Sequence, residues 1–195
     1  QTAVFFDDNK TIGKKIKKFD GYFLPPKGDK FLIQKNPEKV YRHSFKADYY
    51  IYTIKSTKLE RLSDGGKQQV PLWSPDGNQI AFVRDNNLFL IKLLYDNAES
   101  QVTKDGKFNE TINGIPDWVN EEEFGNNRSF CFNGDGTMLC WIKYDESKVK
   151  SYSLQMFKGK HPTRNEYSTY PGEYSYKYPY MEVMSCLPSP IFLII

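Results

Sequence analysis

The sequence predicts an all-β fold, in the form of a partial β-propeller of about three to four four-stranded blades with one short helix at an acidic loop. The first observation behind this prediction is that Phe, Trp and Tyr make up 16% of the 195 residues, because aromatic side chains favour strands. The second is a turn-and-strand unit that occurs three times, and the third is a hairpin pattern after the first two turns. Closed propellers contain about four to eight blades, so this chain is expected to form part of one.

Each repeated unit is an apolar strand end, a tight turn that contains glycine, and a new apolar strand. The three units lie at 24–31, 73–80 and 132–139, and their turn glycines are Gly28, Gly77 and Gly136. Pro and Asp-Gly or Lys-Gly suit such turns, since Pro presets φ and Gly accepts a positive φ. The spacing is near the roughly 40–50 residues of a propeller blade with insertions. A β-sandwich also has short strands, but it does not require this recurring order.

Hairpins are expected after the first two turns, at 50–63 and at 88–103. A basic segment lies before the first turn, where four lysines alternate with the apolar residues Ile12, Ile16 and Phe19. We interpret this segment as the solvated face of a strand. Its basic residues are Lys14, Lys15, Lys17 and Lys18.

Charge and composition narrow the classes of partner and cofactor. The net charge of +3, from 27 basic and 24 acidic residues, does not favour nucleic acid or an anionic membrane as a partner. No apolar run approaches the roughly 20 residues that span a bilayer, so no membrane anchor is expected in this chain. With no C-x-x-C pair and only two histidines, the sequence predicts no zinc site and no cofactor.

Two of the cysteines, Cys131 and Cys140, lie symmetrically about Asp135 and Gly136. They could therefore face each other across a hairpin. A pair of free, packed thiols is favoured over a disulfide, because cysteine often serves as a small buried apolar residue.

The densest candidate site is the acidic loop at 114–124. It contains three consecutive carboxylates, Glu121, Glu122 and Glu123, between Trp118 and Phe124. Adjacent carboxylates repel, so two of them directed into one cavity require a cation, and a primary ammonium with three donors suits them. The alternatives are a solvated acidic turn, or Asp117 as the cap of a short helix at 118–123.

A second candidate is Arg42, within the segment 41–44. Its guanidinium could bind a carbonyl or a carboxylate, and the alternative is a surface arginine at the start of a strand. The serine-hydrolase G-x-S-x-G motif, the P-loop and the Gly-rich dinucleotide motif are all absent from the sequence.

From about 19 to 179, the chain resembles the N-terminal propeller region of dipeptidyl peptidase IV-like enzymes, in the prolyl oligopeptidase family (S9) of serine peptidases. The resemblance is to bacterial members of the Bacteroidetes type. Because the Asp-Trp-Val-x-Glu-Glu-Glu string is highly specific in a propeller, it favours a functional acidic loop. The resemblance rests on Tyr-Arg-His-Ser-Phe at 41–45, Trp-Ser-Pro-Asp-Gly at 73–77, Asn-Gly-Ile-Pro-Asp-Trp-Val at 113–119 with the glutamates at 121–123, and Tyr-Pro-Gly-Glu-Tyr at 170–174.

The resemblance implies roles for Arg42 and for residues of the acidic loop. Glu122 and Glu123 match the pair that holds the free α-ammonium of a peptide, and Arg42 matches the arginine that contacts a backbone carbonyl near the peptide N-terminus. The activity implied for the complete enzyme is removal of N-terminal X-Pro or X-Ala dipeptides, in the periplasm or outside the cell. Trp118, Glu121 and Phe124 are expected to support this site. Asn120 departs from the family pattern, in which an aromatic residue is usual.

We expect residues 1–179 to form the partial propeller. Residues 180–195 form an atypical tail, for which a frameshift or a truncation is one hypothesis. The α/β-hydrolase module of the family has no counterpart in this sequence, so the chain alone is expected to be inactive. Its expected partners are peptide N-termini, together with the missing hydrolase domain or a second copy of the chain. One alternative function is a stand-alone propeller-like protein-interaction module; another is a hydrolase that uses its carboxylates as acid and base.

Overall fold

The computed structural model describes residues 6–155, 173–177 and 191–194. In these ranges the chain forms fifteen β-strands and one α-helix of seven residues. The prediction of an all-β fold with one short helix is therefore confirmed.

The first blade is an antiparallel sheet of four strands, and a short additional strand, β1, pairs in parallel with its last strand. Side chains alternate between its two faces, because successive strand residues point in opposite directions. Phe31 and Ile33 pack on one side with Ile16, whereas Leu32 packs on the other side with Ile80. The strands are β1 (Ile12–Gly13), β2 (Gly21–Phe23), β3 (Lys30–Lys39), β4 (Phe45–Thr53) and β5 (Lys58–Arg61).

The second blade has four antiparallel strands, β6 (Gln68–Trp73), β7 (Gln79–Arg84), β8 (Asn87–Lys92) and β9 (Ala98–Gln101). Its first strand also pairs with the start of β4, which joins both blades in one nine-stranded sheet. Neighbouring residues of β7 point to opposite faces of the sheet and lie in two different apolar clusters. Phe82 packs in the cluster shared with the first blade, and Val83 packs in the cluster shared with the third.

The third unit is built around one central strand, β12. Strand β10 pairs with 143–145 of β12, and β11 pairs with 139–141. Strand β15 pairs with 140–143, a range that overlaps both of the others. Because these registers overlap, β10 and β11 lie end to end on the opposite side from β15, and α1 is inserted between them. The elements are β10 (Thr111–Asn113), α1 (Trp118–Phe124), β11 (Phe130–Phe132), β12 (Leu139–Asp145) and β15 (Ile191–Ile194); β13 (Ser151–Gln155) and β14 (Glu173–Lys177) form a separate two-stranded sheet.

The three repeated turns lie side by side. Their glycines all have positive φ, at 106° for Gly28, 76° for Gly77 and 77° for Gly136. A Cβ atom on Gly77 would lie 2.4 Å from the carbonyl oxygen of Lys27, and one on Gly136 would lie 3.4 Å from Asp76 Oδ1. The recurring turns of the sequence are therefore equivalent positions on neighbouring blades.

The basic segment before the first blade does not have the expected structure. Only its first residues form a strand, β1, and 14–18 are irregular. Ile16 is buried against the first blade, whereas the four lysines are exposed. The prediction of a solvated strand face was wrong in its secondary structure, although the exposure of the lysines was expected.

Cys131 and Cys140 lie opposite each other in the β11–β12 hairpin, and both are free thiols. Cys131 is exposed and Cys140 is partly buried, so the expectation of packed thiols was wrong for Cys131. Backbone hydrogen bonds link 129 with 142 and 133 with 138, so the cysteines occupy a hydrogen-bonded pair of the ladder. Side chains lie farther apart in such pairs than in the alternate ones, which disfavours a disulfide.

Among the residues that the structure describes, no helix has the length and apolar character needed to cross a membrane.

Candidate functional site

The acidic loop folds as helix α1 because both of its ends are capped. Asp117 is extended at the N-cap, and its Oδ1 accepts a hydrogen bond of 2.7 Å from the Asn120 backbone N–H. Gly125 ends the helix in the left-handed conformation, at φ 64°, and its N–H donates to the carbonyl oxygen of Glu121. The predicted helix capped by Asp117 is confirmed, and it sets the directions of the three glutamates.

Glu121 points into the protein and is only 1% exposed. Its Oε1 accepts two backbone hydrogen bonds, of 2.7 Å from His43 N–H and 2.8 Å from Ser44 N–H. These amides belong to the connection between β3 and β4. The side chain of Glu121 thus joins α1 to the loop that carries Arg42.

Glu122 lies at the border between the interior and solvent, and it forms an ion pair with Arg42. Arg42 Nε is 3.1 Å from Glu122 Oε2; the Glu122 side chain is 12% exposed, and that of Arg42 is 73% exposed. The guanidinium is therefore open to solvent while one of its nitrogens engages the helix.

The remaining site residues differ in their surroundings. Glu123 is exposed on the last turn of α1, and Trp118 on the first turn is partly buried. Phe124 is 68% exposed, so it forms part of the surface beside the helix end. Asn120 donates from its side-chain amide to Asp117 Oδ1 at 3.0 Å, which reinforces the cap at the position where the family pattern has an aromatic residue.

A cavity of about 100 Å³ lies behind α1, and Tyr41, Ser44, Glu121 and Glu146 are among the residues that line it. Burial raises the pKa of Glu146 to about 7, with a further contribution from the negative charge of Asp117 and an opposing one from Lys177. Sequence reasoning missed Glu146, since nothing in its neighbourhood distinguished it from a solvated loop acid.

In the part of the chain that the structure describes, no cluster of three or more His, Cys, Asp or Glu side chains could hold a metal ion. The charged groups that the structure places together at α1 are the carboxylate of Glu122 and the guanidinium of Arg42.

The sequence pattern of the family described as "Dipeptidyl peptidase IV (DPP IV) N-terminal region" matches residues 25–182. A probable dipeptidyl-aminopeptidase B of Colletotrichum graminicola is 39% identical over 158 residues, which are 77% of this chain and 17% of that protein. A probable dipeptidyl peptidase 4 of Aspergillus fumigatus is 36% identical over 162 residues, which are 81% of this chain and 20% of that protein.

Among solved structures, the crystal structure of Porphyromonas gingivalis dipeptidyl peptidase 4 is similar to this fold, with a TM-score of 0.81 and 36% sequence identity. The match covers 90% of this chain and 24% of that one. The chain thus spans only about a fifth of the length of the curated relatives it matches, at 17% and 20%. It belongs to the dipeptidyl peptidase IV N-terminal region family, and its strands form part of the β-propeller of that family.

Proposed function

We propose that this chain is the substrate-binding, non-catalytic propeller segment of a serine-type dipeptidyl peptidase. Glu122 and Glu123 hold the α-ammonium of a peptide, and Arg42 contacts a backbone carbonyl near the same end. One observation carries this proposal: Arg42 lies 3.1 Å from Glu122 although 80 positions separate them in the chain. The guanidinium of Arg42 and the consecutive carboxylates of α1 form a compact site for the α-ammonium and the first carbonyl groups of a peptide.

The chemistry of the site favours a free N-terminus. An ammonium has three N–H donors and a positive charge, and both are complemented by two carboxylates. Arg42 offsets one of the two negative charges, which lowers the repulsion between Glu122 and Glu123 before a peptide binds. An acetylated N-terminus has neither the charge nor the same donors, so the site discriminates against it.

A fixed N-terminus has a direct consequence for cleavage. If the ammonium is held at one place, only a peptide bond at a set distance from it reaches a nucleophile. By the family resemblance, that bond follows the second residue, which is Pro or Ala. The nucleophile and its base are proposed to lie in the part of the complete enzyme outside the family match at 25–182.

The proposal is tested by peptide binding to the 195-residue chain. A peptide that begins with Ala-Pro is titrated by calorimetry against the unchanged protein and against Glu122→Gln. We expect Glu122→Gln to weaken binding by about tenfold or more, because hydrogen bonds to a charged, largely buried group contribute about 1.5–3 kcal/mol. Glu123→Gln is expected to have a smaller effect of severalfold, because Glu123 is exposed.

Two controls define the result. Glu60→Gln removes the same charge from β5, outside the site, and should leave binding unchanged. The N-acetylated peptide should bind no variant, and affinity for the free peptide should fall as its α-amino group loses its proton above about pH 8. Equal affinity for the free and acetylated peptides would refute the proposal.

A further inference from the structure

We infer that Glu121 is a positioning residue, which holds the Arg42 loop against α1 so that Arg42, Glu122 and Glu123 form one preassembled site. This inference rests on the proposed function, since the site it organises is the proposed peptide-end site. The Arg42 loop consists of residues 40–44.

The Arg42 loop is closed at its base by its own hydrogen bonds. The N–H of Val40 donates to the carbonyl oxygen of Ser44 at 3.0 Å, and the N–H of Tyr41 donates to Ser44 Oγ at 3.2 Å. These bonds set the shape of the turn. They do not set its position relative to α1, which follows nearly 80 positions later in the chain.

The link between loop and helix is the carboxylate of Glu121. One oxygen accepts both the His43 and the Ser44 N–H, at 2.7 and 2.8 Å. The His43 N–H belongs to the peptide unit that begins at the carbonyl of Arg42. Because the loop's own hydrogen bonds hold the backbone before Arg42, the orientation of this peptide unit restricts ψ of Arg42, and with it the direction in which the Arg42 side chain leaves the backbone.

The ion pair between Arg42 and Glu122 is too weak to hold the loop alone. The Arg42 side chain is 73% exposed, and water screens an ion pair that has one exposed partner, so the pair contributes little to holding the loop. Glu121 is 1% exposed, and backbone hydrogen bonds to such a buried carboxylate are less screened by water and contribute more. Glu121 is therefore the anchor of the loop, and the Arg42 guanidinium, although paired with Glu122 through Nε, remains accessible to a ligand.

Helix α1 both anchors the Arg42 loop and carries the carboxylates that bind the peptide, and the position of Glu121 explains how. Consecutive helical residues point about 100° apart, so an inward Glu121 is followed by Glu122 at the boundary with solvent. A shift of the helix would move both contacts together. The anchor and the binding carboxylates are thereby held in one rigid unit.

The inference is tested by two measurements on the full chain, with Glu121→Gln and Glu121→Ala as variants. The first is hydrogen–deuterium exchange of the His43 and Ser44 amides by NMR, which needs no peptide. Glu121→Ala should speed their exchange by about tenfold or more, because both N–H groups lose their acceptor. Glu121→Gln keeps an acceptor oxygen and should show a smaller change, whereas Glu122→Gln should leave both amides protected.

The second measurement is a double-mutant cycle on the affinity for the Ala-Pro peptide. Glu121→Ala should weaken binding by about tenfold in the unchanged background and by less than about twofold in an Arg42→Ala background. Glu121→Gln, which keeps the buried volume, should lie between these limits and serves as the test if Glu121→Ala fails to fold.

Each outcome has a distinct meaning. Unchanged amide exchange in Glu121→Gln and Glu121→Ala would overturn the anchoring role, whatever the affinities. Faster exchange with unchanged affinity, or an equal loss of affinity in the Arg42→Ala background, would reduce Glu121 to a purely structural residue. Absence of peptide binding by the unchanged chain would instead refute the proposed function, and the amide exchange would still report on the anchor.

Discussion

Glu146→Gln is expected to change how stability depends on pH. As the pH rises from about 4.5 to about 7, the unchanged protein should lose about 3 kcal/mol of unfolding free energy through Glu146, and the variant should not show this loss. Burial is the main cause of the raised pKa of Glu146, which moves from an ordinary value of 4.5 to about 7. In the unfolded chain this carboxyl ionises near 4.5. In the folded chain it stays protonated until about pH 7. The unfolded state therefore releases the proton first, and the free energy of unfolding falls as the pH rises.

The sign of this effect differs from that of the surface acids. Asp105 and Asp135, for example, have pKa values lowered by hydrogen bonds from Lys143 and Thr137, so their contributions are lost as the pH falls. Glu146 is only 7% exposed, and its contribution is lost as the pH rises through the window between its unfolded and folded pKa values. Above about pH 7 both states are ionised and the difference between variant and unchanged protein becomes constant.

The measurement is urea unfolding of both proteins from pH 4 to pH 8, with the difference in unfolding free energy plotted against pH. Glu60→Gln serves as a control, since Glu60 is a carboxylate of β5 on the surface. Asp117→Asn should flatten the profile in part, because it removes a neighbouring negative charge and asparagine still caps the helix. A difference between Glu146→Gln and the unchanged protein that does not vary with pH would contradict the assignment.

The blades could be predicted from the sequence because their signals are local. A turn with Gly in positive φ between two apolar strands needs only a few residues, and it occurs at Gly28, Gly77 and Gly136. The ends of α1 are equally local, with Asp117 and Gly125 as caps. Each of these features depends on backbone conformation within a few positions, so the sequence alone contains the information.

The basic segment shows where such local reasoning fails. In a strand, Ile12, Lys14 and Ile16 would point to the same face, so the segment has no purely apolar face to bury. It remains irregular after β1, and Ile16 alone packs on the first blade.

The site could be predicted only in outline. Three consecutive glutamates give no indication of which one is buried, because that depends on how α1 is rotated against the Arg42 loop. The contact between Glu121 and the amides of His43 and Ser44 spans 77 or 78 positions, and no spacing rule covers such a distance. Glu146 was missed for the same reason, since its burial and the charge of Asp117 come from another element.

Gly77→Ala is expected to destabilise the protein by about 3 kcal/mol, because it combines a strained backbone with a steric clash. Gly77 has a φ of 76°, and an added Cβ would lie 2.4 Å from the carbonyl oxygen of Lys27. The neighbouring atom is backbone of the adjacent turn, so it cannot move aside without displacing the first blade relative to the second. Strain and blade packing are therefore lost together.

Gly28→Ala separates these two causes. Gly28 also has a positive φ, of 106°, but a Cβ there would meet no atom within 4 Å, so only the backbone strain of about 1–2 kcal/mol remains. Urea unfolding of both variants at one pH should thus give a larger loss for Gly77→Ala by about 2 kcal/mol. Because both substitutions reduce the entropy of the unfolded chain alike, the difference isolates the contact between turns, and equal losses would show that the turns do not pack as neighbours.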